Sequence, residues 1–282
     1  MGKIIALVDG SVYSQSVCDH AAWVSSRNGY DVEVVHVLGH RQGAKQNLSG
    51  NIGLGARSKL MDELAELDAE RAKLAQKRGR AILEDAEERI RAGGAATVST
   101  KLRNGDLVTE LAQLAKGADL VCVGKRGEAA DFAKLHLGSN LERVVRSCEV
   151  PILVTSRAFK PIKNFLIAFD GGSSSLKAVK MVADSQLFKD LNAHVVTIGQ
   201  DDTETKRKIE GAAASLKTAG YAPQTQITQG APEEVISKRT EDGSIDMLVM
   251  GAYGHSRIRS MIIGSTTTEM IRSCQVPLLL FR

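Results

Sequence analysis

The chain has 282 residues, 43% of them hydrophobic and 25% charged, with a formal net charge of +4 and a mean hydropathy of −0.11. These values exclude a disordered or fibrous chain, and no stretch reaches the roughly 20 apolar residues of a membrane span. The charge excess is too small and dispersed for a nucleic-acid surface, and at 4% aromatics a base-stacking platform is poorly supplied.

The first nine residues are too short an apolar stretch for a secretory signal. Lys3 to Val8 reads as a strand buried on both faces, stopping at Asp9-Gly10-Ser11. A helix follows to about Asn28, with Gly29 as its C′ residue. Asp31 to Val37 is the second strand. Gly39 to Gly55 is a polar, Gly-rich loop, and Arg57 to Arg91 is charge-dense and helical. Its partial stripe of Leu60, Leu64, Leu67, Leu74 and Ile82 fits either a solvated helix covering the sheet edge or a partner-docking helix. Gly79 is expected to break it. Ala95 to Leu102 is the third strand, Asp106 caps a short helix, and Leu120 to Val123 is the fourth strand. Ser139 to Ser147 is a helix, and Val150 to Val154 closes the first half. The second half follows the same order, with strands near 165–169, 194–198, 222–228, 246–250 and 276–281.

The two halves are copies. Gly138-Ser139 leads to Arg146-Ser147-Cys148 and Val150-Pro151, just as Gly264-Ser265 leads to Arg272-Ser273-Cys274 and Val276-Pro277. Strand-helix alternation implies a parallel sheet with right-handed crossovers. The expected fold is therefore α/β: two tandem doubly wound domains, residues 1–156 (with a helical insertion over 39–92) and 165–282. Each is a five-stranded parallel sheet with helices on both faces. The apolar closing strands would be hazardous as edges, so they are expected to pair as an intramolecular pseudo-dimer, leaving further homo-oligomerisation optional. The four cysteines and six histidines show neither C-x-x-C nor metal-ligand spacing; this suits a reducing cytoplasm and no resident metal.

Open parallel sheets bind ligands at the carboxyl ends of their strands. In the second copy those ends supply Asp170, Gly171, Gly251 and Gly254, and the loop runs on to Gly264-Ser265-Thr266, where a helix starts. The spacing is G-x2-G-x9-G-S-T. The glycines permit close backbone approach; the helix start offers free N–H groups and hydroxyls to a phosphate. His255 lies in the same loop as a possible phosphate contact without a catalytic role. Glycine turn chemistry alone is the competing reading. The first copy offers Asp9, Gly124, Gly127, Gly138 and Ser139, but with ten residues between the last two glycines, and with Glu128 and Asp131 where phosphate would sit. It is expected to bind weakly or to take another ligand. No G-x4-G-K-[ST] motif is present, so P-loop hydrolysis has no lysine to use.

This glycine pattern, the aspartate ending strand one and the terminal V-P-φ-L-φ strand resemble the universal stress protein family over nearly the whole chain. Two copies resemble its tandem members. The resemblance implies Rossmann-like domains that bind ATP, with Mg2+ as an accompanying ion. It places Asp170 on the ribose side, the Thr197–Ile198 backbone at adenine (Val37 being the first-copy counterpart), Gly251 under the ribose, and Gly254, Gly264, Ser265 and Thr266 on phosphates. The function expected is a non-catalytic adenine-nucleotide-binding stress-response protein; no general base is evident, so slow hydrolysis is the most the residues imply. The alternatives are an ATP-using enzyme of the adenine-nucleotide alpha-hydrolase type, weakened because 170–175 lacks an inner aspartate, and a ligand-free scaffold.

Overall fold

The computed structural model describes residues 2–39, 54–127, 139–252 and 265–282. The first copy runs β1 (Lys3–Leu7), α1 (Val12–Asn28), β2 (Asp31–Leu38), α2 (Leu54–Ala92), β3 (Val98–Asn104), α3 (Leu107–Leu114), β4 (Leu120–Gly124), α4 (Ser139–Ser147) and β5 (Ile152–Thr155). The second runs β6 (Asn164–Ala168), α5 (Ser173–Asp184), β7 (Asn192–Ile198), α6 (Thr203–Thr218), β8 (Gln224–Thr228), α7 (Pro232–Glu241), β9 (Met247–Gly251), α8 (Ser265–Ser273) and β10 (Leu278–Phe281).

All ten strands form one sheet in the order β3-β2-β1-β4-β5-β10-β9-β6-β7-β8. Pairing is parallel within each copy. The copies join where β5 and β10 run antiparallel, with Leu153 opposite Leu279. The apolar runs read as strands because alternate residues feed two cores. Ile4, Ala6 and Cys122 belong to the core on the side of α1 and α2, continuous with that of α5 and α6, while Ile5, Leu7 and Val121 belong to the core on the side of α3 and α4, continuous with that of α7 and α8. Covering both faces is what an all-parallel sheet requires. Each copy also fastens β1 or β6 by the aspartate before its fourth strand: Asp119 accepts from the Lys3 amide at 2.7 Å, and Asp246 from the Asn164 amide at 2.9 Å.

The caps at Gly29 and Asp106 form as expected: Gly29 has φ 67°, and Asp106 accepts from the amides of Val108 and Thr109. Gly79 does not break the long helix. α2 passes through it unbroken for 39 residues, and a Cβ there would meet Leu102 at 2.7 Å and His36 at 3.0 Å. The glycine lets the helix lie close on β2 and β3. Only the later part of α2 packs this way, through Leu83, Ala86 and Ile90. The third strand begins at Val98 rather than Ala95, since Gly93 and Gly94 (φ 97°) are spent ending α2.

Candidate functional site

In each copy the strand order reverses beside the first strand, between β1 and β4 and between β6 and β9. The crevice at their carboxyl ends is where open α/β sheets take ligands. In the second copy, β6 delivers Phe169, Asp170 and Gly171 to this edge. Asp170 Oδ1 accepts from the Gly172 amide at 2.8 Å and from the Ser175 hydroxyl at 2.6 Å. Gly171 has φ 74°, and Lys208 of α6 lies over it, its Cδ 2.9 Å from where a Cβ would stand. Lys208 also pairs with Glu204 at 2.6 Å.

Ile198 ends β7 at the same edge, half-buried beside the buried Thr197. Gly251 ends β9. A Cβ on it would meet Ser174 Cβ at 2.8 Å and the Ser175 amide nitrogen at 3.3 Å, so the close approach of α5 already demands glycine. Beyond β9, Thr267 donates from its buried hydroxyl to the Ala252 carbonyl at 3.1 Å. That bond pins the first turn of α8, which holds Ser265 and Thr266, against the strand end. Asp170, Gly171, Ile198, Gly251 and the first turn of α8 thus share one edge. Gly254, His255 and Gly264 lie outside the described residues.

The first copy repeats the carboxylate lock. Asp9 Oδ1 accepts from the Ser11 amide at 2.9 Å and the Ser14 hydroxyl at 3.1 Å. Gly124 abuts Tyr13 as Gly251 abuts Ser174, and a Cβ on Gly127 would stand 2.8 Å from Asp9 Oδ2. Val37 lies near the end of β2, and Ser139 starts α4; Gly138 lies outside the described residues. Two features differ between the copies. Ile82 of α2 covers Gly10, with Arg78 farther off, where the second copy has Lys208. Lys125 turns to the other copy, donating to the Cys274 carbonyl at the end of α8 at 2.7 Å. Burial, aided by Arg126, lowers its pKa to about 8. Ser14 and Ser175 escaped the sequence reading, although the same Asp-x4-Ser spacing in both copies carried the signal.

The Universal stress protein family model matches residues 1–156 and again 161–282. Universal stress protein Slr1230 of Synechocystis is 38% identical over the full length of both chains. A universal stress protein from Archaeoglobus fulgidus has the same fold at TM-score 0.73 and 20% identity, covering 99% of this chain and 98% of its own. A functionally unknown protein from Pseudomonas aeruginosa, PA1789, follows at TM-score 0.63 and 14% identity, covering 99% and 92%. The chain belongs to the universal stress protein family, as a member with two domains in tandem.

Proposed function

We propose that this protein binds ATP without turning it over, in the β6–β9 crevice of the second copy, and that nucleotide occupancy serves the stress response. The observation that carries this is the Asp170 lock: a carboxylate at the switch-point edge, held by Gly172 and Ser175. Its fixed orientation suits ribose hydroxyls. Gly171, Ile198 and Gly251 stand around it, and Gly254, His255, Gly264, Ser265 and Thr266 supply the G-x2-G-x9-G-S-T loop for the phosphates. Lys208 adds a cation on the α6 side. Magnesium enters on the triphosphate. The Asp9, Val37, Gly124, Gly127, Gly138 and Ser139 set is the weaker site: its loop register differs by one, and Ile82 stands in the Lys208 place. The copies, residues 1–156 and 165–282, are two nucleotide-type domains that share one sheet.

Mass spectrometry of gently purified protein tests the reading: co-purifying adenine nucleotide is expected, and its absence, together with no thermal shift on added ATP, contradicts it. Pyrophosphate release with candidate acids would instead move the reading to the ligase-like alternative.

A further inference from the structure

The part of α2 that reaches beyond the sheet is exposed along most of its length. At about 1.5 Å per residue, the 39-residue helix is about 58 Å long. Packing on the sheet begins only near Gly79. From Met61 to Arg78 every residue is exposed except the half-buried Leu64 and Ala75. Met61, Leu67 and Leu74 are 52%, 49% and 68% exposed. Leu60, Leu64, Leu67, Arg71 and Leu74 recur at alternating spacings of four and three, the seam of a coiled coil.

The charges on this segment are segregated. Residues 61–70 carry five acidic side chains and no basic one; residues 71–80 carry five basic side chains and no acidic one. Asp62, Glu66 and Glu70 follow one another at i,i+4, as do Lys73 and Lys77, spacings that destabilise a lone helix. Asp68 and Arg71 meet only at the boundary, at 3.7 Å. A second copy laid antiparallel sets residues 61–67 of each chain on the basic stretch 71–77 of the other, twice over, and leaves like charges together only at the centre, where Asp68 stands beside the partner's Glu70. A parallel copy would set acid on acid.

We infer that residues 60–78 of α2 pair antiparallel with the same segment of a second copy, joining two chains by a two-helix coiled coil around a two-fold axis. The register that brings opposite blocks together also puts Leu64 against the partner's Leu74 and Leu67 against the partner's Arg71, and brings Glu63 beside the partner's Lys77. Parallel pairing fails on charge, and the antiparallel register one heptad shorter sets the acidic blocks against each other.

The test uses the full chain. Sedimentation equilibrium should show a two-chain species that weakens with salt. Glu63→Lys and Lys77→Glu should each weaken self-association about tenfold, while an equimolar mixture of the two variants associates, since each then meets an opposite charge. Mixed Leu64→Cys and Leu74→Cys chains should cross-link on mild oxidation, whereas neither variant alone does so; the four native cysteines are buried. Circular dichroism confirms that each variant is folded. A monomer at low salt, swap variants that associate as the wild type does, or cross-linking by Leu64→Cys alone would overturn the inference and assign the face to a different partner or to none.

Discussion

At the residue scale, small side chains fix larger ones. The Ser175 hydroxyl holds Asp170 at 2.6 Å, so Ser175→Ala should weaken ATP binding by about three- to tenfold, read by calorimetry. Ser14→Ala, which loosens Asp9 in the first copy, should leave ATP affinity unchanged. His20 supplies a pH dependence that is independent of ligand. It is buried, with Nδ1 2.7 Å from the Ser16 carbonyl and the edge of Phe159 packed against it. Burial lowers its pKa from 6.5 to about 4, against the raising effect of the Ser16 carbonyl. Above pH 6.5 both states keep the ring neutral; below it, the unfolded chain gains a proton that the folded chain refuses. Stability should therefore fall as pH drops from 6.5 towards 4, by about 3 kcal/mol in total. Urea unfolding across that range should show the loss, and His20→Asn should remove most of it. Neither the serine locks nor the state of His20 follows from spacing within one copy. Comparing Asp9…Ser14 with Asp170…Ser175 exposes the lock, whereas the burial of His20 depends on Phe159, far along the chain.

At the element scale, the central strands were legible in the sequence because burial on both faces turns them into unbroken apolar runs, whereas the outer β3 and β8 are polar and largely exposed. The caps were legible because Asp106 and Gly29 have few other uses. Glycine roles were not. Gly79 in a helix reads as a break, yet it is a contact with Leu102 and His36. Gly251 reads as a ligand-facing residue, and α5 also packs directly on it. Only the neighbours across the fold distinguish these cases. They also separate two substitutions. Gly251→Ala sets its methyl against Ser174 Cβ and the α5 backbone, and should cost about 1–3 kcal/mol in urea unfolding. Gly79→Ala meets mainly the flexible end of Leu102 and should cost less, its helix propensity gain offsetting part of the contact. A larger loss at Gly79 than at Gly251 would reverse this assignment of the tight contacts.

At the scale of the whole molecule, the repeat and the apolar closing strands made the joined sheet legible in the sequence. Longer-range ties across the copies were not, because they rest on side chains whose sequence context is ordinary. Arg27 donates to the Leu187 carbonyl at 2.7 Å and also to that of Lys189; Arg282 donates to the Arg146 carbonyl at 3.1 Å. The glycine loops 128–138 and 253–264 lie outside the described residues. With one sheet shared, the copies should unfold together. Leu279→Ala, at a fully buried position facing Leu153, should cost about 2–5 kcal/mol. The single tryptophan, Trp23, lies in the other copy, so its fluorescence midpoint should fall together with the circular dichroism midpoint. A Trp23 transition that stays in place while the other moves would mean two independent units.

The nucleotide proposal is tested most directly by calorimetric ATP titration of the wild type beside Gly138→Asp and Gly264→Asp, which block the two loops separately. One dominant binding event per chain is expected, kept in Gly138→Asp and abolished in Gly264→Asp; no heat in the wild type, or equal loss in both variants, would contradict it.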